Sequence, residues 1–165
     1  MSLKNLSQSE GRVASLHLHP PEPGAPLQAV PSLELIEAKG ILGEPRYFGR
    51  KSRSTGEPSQ RQVSLIEREQ IAEHAAALGQ AEITPGAVRA NIETRGINLV
   101  ALVGREVRIG EARLAIYAPR DPCEKMDAVC RGLRERMLND RQGVLARVLQ
   151  SGKVNVGDTI QVQPL

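Results

Sequence analysis

Short strand-like segments separated by glycines are the feature that most constrains this fold. Between residues 90 and 117, apolar stretches of four to seven residues recur, with Gly96, Gly104 and Gly110 between them. A strand of this length is not stable alone, so it must pair within a sheet that buries one face. Short strands with turn residues between them are typical of a barrel or a sandwich. We therefore expect a mainly β fold with short helices.

The rest of the chain adds elements to this pattern. Ile71, Ala75 and Leu78 form an apolar stripe at helical spacing, and Gly79 suits a helix end, so a helix is predicted over 67–79. His74 beside the stripe is expected to be packed or to face solvent. One or two further helices are predicted within 123–140. Strands are predicted over 33–38, 62–66, 90–96, 99–103, 106–109, 113–117, 144–149 and 158–162.

Residues 1–31 are predicted to be a Pro-rich extended lead-in, followed by one domain over 32–165. Five of the 11 prolines lie between Pro20 and Pro31. Proline has no amide donor and a fixed φ, so such a stretch does not favour helix or sheet. His17 and His19 in this segment could bind a metal weakly, but an uninvolved tail is the simpler interpretation.

Composition excludes several functional classes. A chain of 165 residues with 40% hydrophobic content suits a single core, whereas 2% aromatic content is too low for a base-stacking module. Two cysteines cannot form a zinc finger, and a net charge of +3 is mild for a duplex-DNA binder. No apolar run reaches membrane-spanning length, and no secretory signal is visible. We expect a cytoplasmic protein without nucleic-acid or membrane partners.

A polar segment over 46–61 is unusually basic. Its basic residues outnumber its acidic ones five to one: Arg46, Arg50, Lys51, Arg53 and Arg61 against Glu57. One interpretation is a solvated loop. The other is an anion-binding flap, because long loops in compact domains are often functional and arginine suits bidentate recognition of phosphate.

Cys123 is the candidate reactive group. Asp121, Pro122 and Glu124 resemble an N-cap, a first helical position and a capping box, which predicts Cys123 in the first turn of a helix. The positive end of the helix dipole favours the thiolate there, so a modestly activated thiol is expected; a small packing side chain is the alternative. Cys130 is expected to be buried, about 10 Å along the same helix and too far for a disulfide.

Several short motifs occur together in one order and carry a resemblance. On these motifs the chain resembles the MOSC family, named after the C-terminal domain of molybdenum cofactor sulfurase. They are Lys39-Gly40-Ile-Leu-Gly43, Arg61-Gln-Val-Ser-Leu65, Pro85-Gly86, Asn91-Ile92-x-Thr94-x-Gly96, Gly110, Pro119-Arg120-x-Pro122-Cys123 and Val148-x-x-x-Gly152 followed by Gly157-Asp158.

The resemblance implies a mixed β-barrel related to the pyruvate-kinase barrel class. It also implies that Cys123 carries sulfur as a persulfide or ligates molybdenum in the pterin-based molybdenum cofactor, bound stably or transiently. The positions that match binding residues are Arg61, Asn91 and Arg120, while charge and loop position add Arg50, Arg53 and Arg89. The family is also associated with pyridoxal phosphate.

The leading expectation is a stand-alone domain that binds the molybdenum cofactor or carries sulfur for metal–sulfur centre assembly. A cysteine desulfurase or a molybdoenzyme would then be a partner. One alternative is a cofactor-dependent reductase of N-hydroxylated compounds with a separate electron-transfer partner. Another is a non-catalytic scaffold that binds an anion or a protein. Glu44 and Ala90 depart from the aspartate and the glutamate that many members carry, which puts family activity in question.

Overall fold

The computed structural model describes residues 10–165, and seven of its strands close into a barrel. The strands are β1 Glu10–Leu18, β2 Gln28–Val30, β3 Ser32–Ile36, β4 Gly40–Ile41, β5 Val63–Glu67, β6 Ile92–Arg95, β7 Glu106–Ile109, β8 Ala112–Pro119, β9 Val144–Gln150, β10 Gly152–Asn155 and β11 Thr159–Val162.

The barrel is a mixed sheet. Its strands follow the order β11-β7-β8-β9-β5-β6-β1, and β1 pairs again with β11 to close the ring. Only β5 and β6 are parallel among the described strands. β2 extends the sheet beside β1, and β10, β3 and β4 form a separate antiparallel sheet. The prediction of a mainly β, mixed barrel is confirmed.

The first described strand departs from the predicted lead-in. β1 pairs with β11, β6 and β2, so residues 10–18 are part of the barrel. Its register shifts between Val13 and Ser15, where a bulge interrupts the alternation of buried and exposed side chains. This break in period explains why the sequence pattern did not reveal a strand. The extended, Pro-rich part is confined to residues 19–27, and residues 1–9 of the predicted lead-in lie outside the described residues.

Three short helices accompany the barrel within residues 10–165: α1 Arg68–Ala77, α2 Lys125–Val129 and α3 Leu133–Arg136. α1 connects the parallel strands β5 and β6, because a parallel pair needs a crossover. It buries Ile71, His74 and Ala75, and the His74 ring nitrogen Nε2 lies 2.8 Å from the carbonyl oxygen of Arg141. The predicted helix is confirmed, with His74 packed.

The strand predicted over 99–103 is wrong. Val100–Leu102 forms one turn of 3₁₀ helix instead. The Ala101 amide donates to Asn98 Oδ1 at 3.4 Å, a local bond that favours a turn over a strand. The structure also contains β10, where the sequence predicted only a connection.

Two apolar clusters hold these elements together. The main one fills the barrel and includes Leu16, Leu65, Ile92 and Ile116. The second lies under α1 and α2 and includes Ile71 and Met126. Within the described residues, no helix has the length and apolar character needed to cross a membrane.

Candidate functional site

A cavity of about 110 Å³ lies beside the barrel strands β5, β6, β8 and β9. It is positioned by strand ends: His19 follows β1, Arg120 follows β8, Gln62 precedes β5 and Asn91 precedes β6. The remaining lining residues are Arg46, Tyr47, Arg61, Val63, Ser64, Arg89, Cys123, Lys125, Met126 and Leu145. The barrel therefore brings together five of the seven residues predicted to bind the cofactor or its metal, namely Arg61, Arg89, Asn91, Arg120 and Cys123.

The lining is strongly cationic. Five basic side chains contribute to it, namely Arg46, Arg61, Arg89, Arg120 and Lys125. No Asp or Glu of residues 10–165 is among the lining residues. Such an arrangement focuses positive potential into a small volume and attracts anions.

Arg120 is the most unusual of these cations. Its exposed fraction is 9%, and its guanidinium donates to the carbonyl oxygens of Val88 at 3.4 Å and Arg89 at 3.3 Å. Within the described chain it forms no ion pair with a carboxylate. Burial, and then the charge of Arg61, lower the pKa of Arg120 to about 10, so it stays cationic at neutral pH. A buried cation without a counter-ion is costly, and a bound anion relieves that cost.

The backbone at Gly143 holds Arg120 against β9. The Arg120 amide donates to the Gly143 carbonyl oxygen at 3.0 Å. Gly143 has a φ of 75°, and a Cβ there would collide with the carbonyl of Leu65. Only glycine allows this close approach in the left-handed region.

Arg89 also occupies the left-handed region, with a φ of 65°, although it is not a glycine. Its Nη1 donates to the carbonyl oxygen of Ala25 at 3.0 Å. Burial, and then Arg46, lower the pKa of Arg89 from its usual value. A backbone strained in this way is common at functional sites.

Arg61 and Tyr47 form one side of the opening. The Arg61 guanidinium carbon lies 4.9 Å from the centroid of the Tyr47 ring, which is a cation–π contact. The Tyr47 ring in turn meets His19 edge-on, with 6.2 Å between the centroids. Part of the basic segment therefore lines the cavity.

Two arginines of that segment lie elsewhere. Arg50 and Arg53 are exposed and are not among the cavity residues. Between them, Lys51 pairs with Pro58 in an isolated bridge, which folds the segment back on itself. The structure does not bring these two predicted residues to the site.

Asn91 lines the cavity, but its side chain is fully engaged within the protein. Its Oδ1 accepts from the amide and the hydroxyl of Ser64, both at 3.1 Å. Its Nδ2 donates to Glu44 Oε2 at 2.9 Å and to the His17 carbonyl oxygen at 3.2 Å. Because an amide has two donors and one acceptor oxygen, Asn91 positions neighbours more than it binds a ligand.

Glu44 is the residue through which Asn91 reaches His19. Its exposed fraction is 2%, and Oε2 lies 3.0 Å from His19 Nδ1. Glu44 therefore supplies a buried acid at the cavity, although its type departs from the family pattern. The second departure, Ala90, is a fully buried apolar residue of the second cluster.

His17 and His19 are not part of an uninvolved tail. Both are buried; His17 Nδ1 lies 3.1 Å from the Ala90 carbonyl oxygen and 3.9 Å from Glu93 Oε2. Desolvation lowers the pKa of His17, against the opposing effect of Glu93. The sequence pattern did not assign His19 to the site, because it placed this residue in a tail. The alternation Leu16-His17-Leu18-His19 could have indicated a strand that ends at His19.

Cys123 is exposed and lines the cavity, but it is not in a helix. α2 begins two residues later, and its N-cap is Glu124, with no side-chain capping bond. The predicted capping box is therefore wrong, because the Met126 amide bonds to the Cys123 carbonyl oxygen instead. Cys130 is only half-buried, lies in extended backbone after α2 and packs against the second cluster. Both cysteines are free.

A larger cavity of about 560 Å³ adjoins the cationic one. The two share Arg89 and Lys125. Its other walls come from the Pro-rich segment at 24–27, the turn at 84–87 and the residues Ala128 and Val129. Together the cavities offer a charged end and a roomier, more apolar end.

A conventional metal site is absent from the part of the chain that the structure describes. No three His, Cys, Asp or Glu side chains of residues 10–165 lie close enough to share an ion. A metal here would need ligands from a cofactor in addition to Cys123.

Comparisons with known proteins agree with this architecture. The YuaD protein from Bacillus subtilis superposes with a TM-score of 0.77 at 21% identity, over 93% of this chain and 95% of that one. YiiM from Geobacillus stearothermophilus superposes with a TM-score of 0.71 at 17% identity, over 93% of this chain and 75% of that one. YiiM from Escherichia coli superposes with a TM-score of 0.65 at 23% identity, over 94% of this chain and 69% of that one.

No curated protein sequence matches the chain. The model of the MOSC domain, however, matches residues 38–161, most of the sequence and the part that contains almost every cavity residue. The chain therefore belongs to the MOSC domain family.

Proposed function

We propose that this protein binds the pterin-based molybdenum cofactor, with the anionic group of the cofactor in the cationic cavity and Cys123 beside the metal. The observation that carries the proposal is Arg120, a buried cation with no carboxylate partner in the described chain. Domains of this family are associated with that cofactor.

The volumes of the two cavities support the placement of different parts of the cofactor in each. A cavity of about 110 Å³ accommodates a phosphate-sized group and little more. The adjoining 560 Å³ accommodates a ring system, and Arg89 and Lys125 lie between the two. Arg120 and Arg61 would hold the phosphate through charge-assisted hydrogen bonds.

Cys123 would act at the metal. When bound, the cofactor supplies a molybdenum centre capable of two-electron chemistry. The thiolate of Cys123 is the soft ligand that the chain offers there, and it is exposed to the cavity. Asn91 and Glu44 would act indirectly, by fixing the orientation of His19.

The same exposure supports sulfur carriage by Cys123. Its thiolate would attack the outer sulfur of a donor persulfide. The sulfur–sulfur bond of the donor breaks, a new one forms on Cys123, and the donor leaves as a thiolate. A cysteine desulfurase or a molybdoenzyme would be the partner in that exchange.

The test is molybdenum retention. Purified protein is incubated with isolated cofactor, passed through a desalting column and assayed for molybdenum per chain. We expect close to one equivalent for the wild type, a large loss for Arg120→Gln and Cys123→Ala, and no loss for Arg53→Gln, whose residue lies outside the cavity. Equal retention by all four proteins would refute the assignment.

Sulfur carriage is tested separately. The protein is incubated with a cysteine desulfurase and cysteine, and its intact mass is measured. A persulfide adds about 32 Da, is removed by a reductant and is absent from Cys123→Ala. The same addition on Cys123→Ala would assign the sulfur to Cys130 instead.

A further inference from the structure

The two ring nitrogens of His19 have different roles. Glu44 Oε2 lies 3.0 Å from Nδ1, 3.4 Å from the His19 amide nitrogen and 2.9 Å from Asn91 Nδ2. The orientation of Asn91 is fixed, because its other end accepts from the Ser64 amide, which can only donate. Two unambiguous donors therefore meet Oε2, which identifies this oxygen as an acceptor and Nδ1 as the nitrogen that carries hydrogen.

Any hydrogen bond from His19 to a molecule in the cavity must then use Nε2. In a neutral imidazole with hydrogen on Nδ1, Nε2 is an acceptor. The arginines and Lys125 that surround the cavity can only donate. His19 therefore places an acceptor in a lining dominated by donors.

Three of the other side-chain acceptors in the lining are already used within the protein. Gln62 Oε1 accepts from the Val148 amide at 2.7 Å, and Ser64 Oγ accepts from the Asn91 amide at 3.0 Å. Asn91 Oδ1 accepts twice from Ser64. His19 differs from these three residues because Glu44 binds only its Nδ1, so that Nε2 is left to accept a hydrogen bond from a ligand.

We propose that the cavity selects an anionic group that carries its own hydrogen-bond donor, and that His19 Nε2 accepts that hydrogen. Hydrogen phosphate is the simplest such group, and a phosphate monoester belongs to this class in its singly protonated form. Sulfate has nearly the same size and, at pH 8, the same charge, but it has no hydrogen to donate. This inference rests on the proposed function, because it assumes that the cavity binds an anion.

A pair of calorimetric titrations tests the proposal. The complete protein is titrated at pH 8, once with phosphate and once with sulfate. We expect phosphate to bind at least about tenfold more tightly, because sulfate leaves the acceptor unpaired against an oxygen lone pair.

Two variants locate the selectivity. In Glu44→Gln, the same two donors select the amide oxygen for the position of Oε2, so Nδ1 keeps its hydrogen and the preference for phosphate should remain. In His19→Phe the acceptor is lost, phosphate binding should weaken and the ratio should approach one. His74→Gln, a buried histidine outside the cavity, should keep the wild-type ratio.

The outcomes separate this proposal from the one on which it rests. Equal affinities of the wild type for the two anions would overturn the selectivity and leave the anion site intact. No binding of either anion would overturn the anion site as well. A wild-type ratio retained in His19→Phe would overturn the role of His19.

Discussion

Asn91 Nδ2 donates to Glu44 Oε2 at 2.9 Å, across 47 positions of sequence. This bond connects the start of β6 to the segment after β4, and it holds a buried carboxylate beside the cavity. The cationic lining and this carboxylate are therefore adjacent but separate: the carboxylate is turned toward His19 and Asn91, while the arginines remain available to a ligand.

Asn91→Ala should destabilise the protein. It removes the side-chain partner of the Ser64 amide and of the His17 carbonyl, and it takes one of the donors from Glu44 Oε2, which should lower the free energy of unfolding by about 2–4 kcal/mol. Urea denaturation measures the change. Asn98→Ala, at an exposed position, is the matched control and should cost under about 1 kcal/mol. Similar losses in the two variants would contradict the network.

Arg120→Met should not destabilise the protein, although it removes a buried side chain with two hydrogen bonds. The guanidinium is desolvated without a counter-ion, and a buried charge replaced by an apolar group of similar size is often neutral or stabilising. We expect an unfolding free energy equal to or above that of the wild type, measured in phosphate-free buffer. A loss of more than about 2 kcal/mol would show that Arg120 serves the fold instead.

Arg61 and Arg53 come from the same basic segment and should differ in effect. Arg61 lines the cavity and stacks on Tyr47, whereas Arg53 is exposed away from it. Arg61→Ala should weaken phosphate binding about tenfold, since it loses a charge-assisted bond. Arg53→Ala should change affinity less than twofold at 0.15 M salt. Parallel losses in the two variants would indicate a diffuse electrostatic effect.

The two cysteines should react at different rates. Cys123 is exposed at the cavity, while Cys130 is half-buried against the second apolar cluster. Iodoacetamide should therefore modify Cys123 first, as followed by peptide mass spectrometry over time. Faster labelling of Cys130 would contradict the structure at this site.

Stability should fall as the pH is lowered through the histidine range. Desolvation lowers the pKa of His74 and of His17 in the folded state, so the unfolded chain binds more protons below about pH 6.5. The free energy of unfolding is then highest above that pH and decreases toward pH 5. His74→Gln keeps a donor for the Arg141 carbonyl and should reduce the slope. An unchanged slope would contradict the assignment to His74.

The sequence predicted the barrel class and brought Arg61, Arg120 and Cys123 to attention, because strand alternation and local motifs are visible in one dimension. β1 was missed because its bulge breaks the alternation that marks a strand. His19 was missed with it. The sequence could not predict that the side-chain amide of Asn91 is fully hydrogen-bonded within the protein. Its partners Glu44 and Ser64 are distant in sequence and contact it only in the closed barrel.

The prediction that Cys123 lies in the first turn of a helix failed for a different reason. Its local motif was convincing by itself, yet α2 starts at Lys125, three residues after the predicted first helical position Pro122. The Arg120 amide is bound to Gly143, which keeps the segment after β8 extended. The hydrogen bond between Arg120 and Gly143 thus outweighs the local preference of residues 121–124 for a helix start.

The central claim, that Arg120 is the core of an anion site, is tested most directly by titrating phosphate into the wild type and into Arg120→Met by calorimetry. We predict one saturable site in the wild type and at least a thirtyfold weaker one in the variant, about 2 kcal/mol, as for a charge-assisted bond lost from a buried site. Equal affinities in two equally folded proteins would contradict the claim.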